Sequence, residues 1–210
     1  MLRNQPAILT VSVLIGSLLA GHAVDFSVLR LIKDNPVQIV QILVIALFFG
    51  SLSEELGWRG FALGRLQAKW SALVSSIILG LIWFCWYLPL FFVNGTTQKR
   101  WGFGSIGFFG FLLFLMASTL IMTWAYNRNG KSLLSAVLIH CVSNLVLDLV
   151  PLSGEGLFIQ GAILAIVAVP FVHFSGSTGP AAREQHDCAQ PDGTSRRPQH
   201  PALPGRPGIA

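Results

Sequence analysis

The sequence carries little charge for its length. Only 11% of its 210 residues are Asp, Glu, Lys or Arg, whereas soluble domains carry roughly 25%. Hydrophobic residues make up 53% of the chain, and the mean hydropathy is +0.64. This composition excludes an ordinary soluble domain and indicates a membrane protein. The net charge of +5 therefore predicts no nucleic-acid partner, because basic residues of membrane proteins lie mainly in loops.

Cysteine is also scarce, and the common nucleotide-binding and hydrolase motifs are absent. The three cysteines, Cys85, Cys141 and Cys188, are too far apart for a zinc knuckle or a redox motif. We expect them to be structural thiols, buried where they lie in apolar runs. The sequence has no P-loop, no dinucleotide-binding fingerprint, no GxSxG and no HExxH motif.

Long apolar stretches recur along the chain and predict an all-α, polytopic membrane bundle of about six transmembrane helices. A helix needs about 20 residues to cross the hydrocarbon core, and lipid-exposed backbone must satisfy its own hydrogen bonds. The predicted spans are Ala7–Val24, Val37–Leu52, Ser71–Val93, Phe103–Ala125, Ser132–Val150 and Gly156–Phe174. The second span is short, and we expect it to continue through Glu54 and Glu55 as one longer helix.

The two ends of the chain differ in character. The first span resembles a signal peptide because Arg3 precedes it and small residues follow it, but its length favours a retained helix. From Ser175 onward the chain is rich in Pro, Gly and polar residues, which predicts a disordered tail over 175–210 after a transmembrane domain over 1–174.

The distribution of basic residues predicts the orientation. With an even number of spans, both termini lie on the same side of the membrane. Outside the tail, six Lys and Arg residues fall in segments on the side of the termini and four on the other side. The positive-inside rule therefore predicts cytoplasmic termini, in a plasma (inner) membrane.

The stretch "SEELGWRGFALGRL" (53–66) places charges at the end of a membrane-length segment. Ionisable residues inside a membrane are costly and mark candidate sites. On a helix, Glu55 and Arg59 share a face, while Glu54 projects about 100° away. One carboxylate can then be neutralised by the Arg while the other acts as a general base. The same pattern is also typical of an interfacial ion pair that ends a helix.

The stretch "IHCVSN" places His140 and Asn144 on one helical face. Both side chains can donate hydrogen bonds to an oxyanion, and His140 can also bind a metal. The pair is equally consistent with polar residues that join two helices. Asp148, one turn further, is interpreted as marking the membrane boundary.

The stretch "GLIWFCWYLPLFF" (80–92) is aromatic and aliphatic. Trp83 and Tyr87 share a helical face, and Pro89 is expected to kink the helix or open its backbone. By itself this pattern is typical of packing and of an interfacial aromatic belt. Glycines in two clusters, Gly60 and Gly64, and then Gly102, Gly104, Gly107 and Gly110, predict close helix packing.

Taken together, these stretches resemble the CPBP family of intramembrane proteases, which includes the CAAX proteases and is also called the Abi family. Residues Glu54 to Arg59 match its EExxxR motif, and His140 to Asn144 match its HxxxN motif. Between them, "WFCWYLPLFF" resembles the family's aromatic motif before "LPLF". The resemblance covers about Phe49 to Asn144.

The resemblance implies an endopeptidase that cuts membrane-associated peptides or membrane proteins at the lipid bilayer. It implies that Glu54 activates water, that Glu55 and Arg59 support it, and that His140 and Asn144 stabilise the oxyanion. The substrate would be a membrane-anchored peptide, a leader sequence or a lipidated C-terminus.

One position departs from the family pattern, because Tyr87 stands where the family has a His. A phenol keeps its proton at neutral pH and is a poor zinc ligand, although it still donates one hydrogen bond. A zinc site built on Glu54 and His140 would lack a ligand, so a metal-free mechanism is favoured over a divalent metal cofactor. Two alternatives remain: a catalytically degenerate relative that acts as a membrane scaffold, immunity or regulatory protein, and a small transporter.

Overall fold

The computed structural model describes residues 37–175, with side chains up to residue 170, and isolated positions at 11, 15, 18, 19, 21, 30 and 33–35. The predicted first span, its signal-peptide alternative and the predicted tail beyond residue 175 lie outside the described residues.

The described part of the chain contains helices and no strands. Its six helices are α1 (Val37–Gln67), α2 (Ala72–Tyr87), α3 (Thr97–Trp101), α4 (Ile106–Arg128), α5 (Leu133–Leu149) and α6 (Gly154–Ser175). Three segments are long and apolar enough to cross a membrane: α1, α2 with the turn that follows it, and α4. Helix α5 and residues Gly154–Pro170 of α6 are shorter apolar helices. The predicted all-helical membrane bundle is confirmed.

Helix α1 continues through the glutamate pair, as expected, but it is not a regular α-helix. Two segments, Ile45–Leu52 and Trp58–Ala62, are wound as π-helix, on either side of the α-helical turns Ser53–Gly57. In the first, the Ser51 hydroxyl donates to the carbonyl of Ala46 at 2.8 Å, five residues back. Segments of π-helix within α-helices frequently lie at functional sites.

Helices α2 and α3 begin at capping side chains. The Ser71 hydroxyl accepts a hydrogen bond from the amide of Val74 at the start of α2. Thr96 similarly caps α3 by accepting from the amide of Lys99. Beyond Tyr87, the helix tightens into a 3₁₀ turn over Leu88–Phe91 that contains Pro89. The expected disruption at Pro89 is therefore confirmed.

Helix α4 lies against α6 through glycines. A Cβ atom at Gly110 would lie 2.6 Å from the backbone nitrogen of Phe158, and one at Gly107 would lie 2.9 Å from the Cα of Gly154. Such backbone contact requires glycine, so the prediction of close packing is confirmed at these two positions.

The same prediction is wrong at Gly60 and Gly64. A Cβ atom at Gly64 would meet nothing within 4 Å among the described residues, and one at Gly60 meets only a carbonyl of its own helix. The expectation of buried cysteines is confirmed for Cys141 and wrong for Cys85, whose side chain is exposed on α2. Lipid-facing helix surfaces are as apolar as buried ones, so composition does not separate them.

Candidate functional site

A buried ion pair anchors the site on α1. The Arg59 Nη1 atom donates to Glu55 Oε1 at 2.8 Å, and both side chains are fully buried. The Arg59 guanidinium carbon lies 5.2 Å from the centroid of the Trp83 ring, within range of a cation–π interaction. The predicted pairing of Glu55 with Arg59 is confirmed.

His140, from α5, joins this pair. Its Nδ1 atom lies 2.9 Å from the same Oε1 atom of Glu55, and the imidazole is buried. An ionised carboxylate can only accept, so in this hydrogen bond Nδ1 carries the proton. In a neutral ring, Nε2 is then a proton acceptor, and it donates only when the ring is doubly protonated. The edge of the His140 ring packs against Trp83, with ring centroids 5.0 Å apart.

Glu54 is held by a different set of donors, all of them aromatic. Its Oε2 atom accepts from Trp83 Nε1 at 2.7 Å and from Trp58 Nε1 at 3.3 Å. Its Oε1 atom accepts from the Tyr87 hydroxyl at 2.9 Å. Trp83 and Tyr87 come from α2, whereas Trp58 lies on α1 itself. The two adjacent glutamates therefore have different partners, in agreement with the helical offset that directs Glu54 away from Arg59.

Asn144 approaches α1 where that helix is wound as π-helix. Its Nδ2 atom lies 3.5 Å from the Ser51 hydroxyl oxygen, at the limit of a hydrogen bond. A Cβ atom at Gly50 would lie 3.0 Å from the same Nδ2 atom. Glycine at position 50 therefore makes room for the amide.

A cavity of about 630 Å³ opens beside these residues. Its wall includes Trp83 and Tyr87 on one side and His140, Asn144 and Asp148 on α5. Glu54 is not among the lining residues, but two of the three aromatic residues that donate to its carboxylate, Trp83 and Tyr87, are. Volumes of this order accommodate small ligands or short segments of peptide.

The donors in the site do not fit a zinc ion. Of the two metal candidates, His140 keeps Nε2 open, but Glu54 already accepts three hydrogen bonds, and Tyr87 replaces a potential third ligand. Within residues 37–170, no three His, Cys, Asp or Glu side chains are grouped so that they could hold a metal.

Several residues in the site were not predicted from the sequence. They are Gly50, Ser51, Trp58, Thr97, Gln98, Arg100 and Trp101. Trp58 could have been found, because it lies four residues after Glu54 and so shares its helical face. The residues of α3 carry no local signal, because their place in the cavity wall depends on the path of the chain between α2 and α4.

Two comparisons with known proteins bear on this geometry. A family model described as type II CAAX prenyl endopeptidase, Rce1-like, matches residues 36–146, which is more than half of the chain. The match includes all of the candidate residues from Glu54 to Asn144.

A similar relative is CAAX prenyl protease 2 of Methanococcus maripaludis, which is 30% identical over 171 residues. That alignment covers 80% of this chain and 62% of the relative, so the chain spans under two thirds of the relative's length. Together with the apolar helices, the family match shows that the chain is an integral membrane protein of the CPBP family of intramembrane proteases, within its CAAX-type, Rce1-like group.

Proposed function

We propose that this protein is an intramembrane endopeptidase that hydrolyses peptide bonds of membrane-associated, CAAX-like or leader-peptide substrates through water activated by Glu54. The observation that carries the proposal is the cavity, whose wall holds His140 and Asn144. The wall also holds Trp83 and Tyr87, two of the three residues that donate to Glu54. The relative's designation as a CAAX prenyl protease supports the same activity.

Glu54 retains the capacity to bind a water molecule. A carboxylate offers about four lone-pair positions, and the three aromatic donors use three of them. The remaining position is on Oε1, the oxygen that accepts from Tyr87. In the proposed reaction, Glu54 takes a proton from water as the oxygen adds to the scissile carbonyl carbon. It then returns that proton to the leaving amine nitrogen as the carbon–nitrogen bond breaks.

Asn144 and His140 are proposed to stabilise the oxyanion of the tetrahedral intermediate. The Asn144 amide is a donor in every protonation state, and it lies at the cavity wall. His140 can donate from Nε2 once the ring is doubly protonated, while its Nδ1 remains bonded to the Glu55 carboxylate. Arg59 in turn holds Glu55 in place through its buried ion pair.

No step in this mechanism uses a metal ion, because the donor set does not fit one. Tyr87 is proposed to act as a positioning residue, since its hydroxyl fixes the carboxylate that activates water. With Tyr in place of the family's His, a hydrogen bond from position 87 still holds the Glu54 carboxylate in position.

The test is cleavage of a quenched fluorescent peptide library by protein reconstituted in liposomes. Wild type, Glu54→Ala and Tyr87→His are compared, with Glu155→Ala as a matched loss of a glutamate outside the cavity. We expect wild type and Glu155→Ala to cleave peptides and Glu54→Ala to lose this activity. An inactive wild type that becomes active as Tyr87→His would contradict the proposal and identify a degenerate, peptide-binding relative.

A further inference from the structure

Ser51 is a fully buried polar residue on the π-helical segment of α1, and the proposed reaction does not use it. Its hydroxyl donates to the carbonyl of Ala46, five residues back, at 2.8 Å. In an α-helix a serine hydroxyl bonds to a carbonyl three or four residues back, as that of Ser53 does on the exposed side of the same helix. Ser51 thus differs from Ser53 both in the carbonyl that it binds and in the side of the helix that it occupies.

The Ser51 hydroxyl faces α5, which packs against this π-helical segment. The Asn144 Nδ2 atom lies 3.5 Å from the hydroxyl oxygen. The Cys141 thiol, three residues earlier and so on the same face of α5, also interacts with this hydroxyl. Gly50 leaves the room that this approach needs, since a Cβ atom there would lie 3.0 Å from Nδ2. Helix α5 therefore directs two side chains at one buried hydroxyl.

The hydrogen bond to Ala46 decides how Ser51 can bind Asn144. A hydroxyl has one proton, and the bond to the Ala46 carbonyl uses it. Ser51 therefore offers only lone pairs, which the NH₂ group of the amide can bond and its carbonyl oxygen cannot. One N–H of Asn144 then points to Ser51, and the second can donate to an oxyanion in the cavity. An amide turned by 180° would instead present Oδ1, an acceptor that repels an oxyanion.

We propose that Ser51 is a positioning residue for peptide hydrolysis, which holds the Asn144 amide with its N–H groups toward the oxyanion. The proposal rests on the peptidase function proposed above. Ser51 does not line the cavity, so it acts through Asn144 and not on the substrate. Because the oxyanion forms only during the reaction, loss of the Ser51 hydroxyl should lower kcat and leave KM unchanged.

The experiment is a double-mutant cycle, measured by cleavage of quenched fluorescent peptides in liposomes. Ser51→Ala removes only the hydroxyl, and Ser53→Ala is the matched control, an exposed serine on the same helix. From the strength of a neutral hydrogen bond, we expect Ser51→Ala to lower kcat about threefold to tenfold at an unchanged KM. Ser53→Ala should match wild type in both constants.

The second arm of the cycle introduces Ser51→Ala into protein that already carries Asn144→Ala. We expect no further loss of kcat there, because the amide that Ser51 positions is gone. A loss of the same factor in both backgrounds, or a wild-type kcat in Ser51→Ala, would overturn the proposal. Partial unfolding would lower kcat by the same factor in both backgrounds, so the cycle separates a structural effect from positioning.

A spectroscopic measurement tests the contact independently of cleavage. Side-chain amide signals of protein labelled with ¹⁵N-asparagine are recorded in detergent micelles, and Asn144→Ala identifies the signal of Asn144. We expect Ser51→Ala to shift this signal and Ser53→Ala to leave it unchanged. An Asn144 signal that is the same in wild type and Ser51→Ala would overturn the role of Ser51. A shifted signal in a wild-type background that cleaves no peptide would support the contact and contradict the peptidase.

Discussion

At the level of single residues, the neighbours Glu54 and Glu55 have different environments. Glu55 is buried between two cationic or potentially cationic side chains, Arg59 and His140. Glu54 is partly exposed, and neutral aromatic donors hold it. Adjacent carboxylates with separate partners can serve separate purposes, one as a fixed structural charge and the other as a proton acceptor.

The phenol of Tyr87 should matter for activity through its hydroxyl. We expect Tyr87→Phe to lower kcat/KM about tenfold or more, because the Glu54 carboxylate loses a hydrogen bond worth about 1.5–3 kcal/mol. Tyr126→Phe is the matched control, since Tyr126 packs against Leu63 and Leu79 away from the cavity. Peptide cleavage measures both variants, and full activity in Tyr87→Phe would contradict a positioning role.

Substitutions at His140 should distinguish a hydrogen-bond donor from a proton acceptor. Glutamine can donate a hydrogen bond but cannot take up a proton at neutral pH. Leucine can neither donate a hydrogen bond nor take up a proton. If His140 donates to the oxyanion, His140→Leu should lose about 10²–10³-fold in kcat and His140→Gln should retain more activity than His140→Leu. Equal loss in two variants that are folded by size-exclusion chromatography would indicate that Nε2 accepts a proton instead.

At the level of helices, the contact of α4 with α6 depends on glycines that admit the neighbouring backbone. We expect Gly110→Ala to lower the midpoint of thermal unfolding in detergent, because its Cβ would lie 2.6 Å from the Phe158 nitrogen and 2.7 Å from its Cα. Neither backbone atom can move without displacing α6.

Gly64→Ala provides the comparison for this prediction. It adds the same methyl group at a position where none of the described residues lies within 4 Å, and alanine favours helix over glycine by about 1 kcal/mol. Its unfolding midpoint should remain the same or rise. A midpoint for Gly110→Ala that equals that of wild type would show that α4 and α6 are not in backbone contact.

At the level of the whole molecule, the cavity is lined by residues from the five helices α1 to α5. None of these helices contains the site alone. The hydrogen bonds that define it join residues 29, 33 and 85 positions apart in the chain. The site therefore depends on the folded bundle as a whole.

The intact protein should work without zinc. Three donors already hold the Glu54 carboxylate, and Tyr87 stands where a metal site would need a further ligand, so we expect chelators to leave peptide cleavage unchanged. Elemental analysis of the purified, active protein should find less than one zinc per chain. Stoichiometric zinc, with activity lost on chelation and restored by zinc, would contradict this expectation.

The sequence alone determined the features that depend on local spacing. Apolar run lengths predicted the helices over residues 37–175 other than α3, because crossing a membrane requires a minimum length. Helical periodicity predicted the contact of Glu55 with Arg59, because residues four apart are neighbours on any α-helix. The motif residues around Glu54 and His140 were sufficient to identify the family, whose model then matched.

Only the tertiary structure decided which helix faces meet. It paired Glu54 with Tyr87, Glu55 with His140, and placed Arg100 at the cavity, none of which follows from spacing along the chain. It also exposed Cys85 and left Gly64 open, against expectation. The physical reason is that a membrane helix is apolar on all sides, so its sequence does not mark the buried face. That face is selected by packing and by the few interhelical hydrogen bonds.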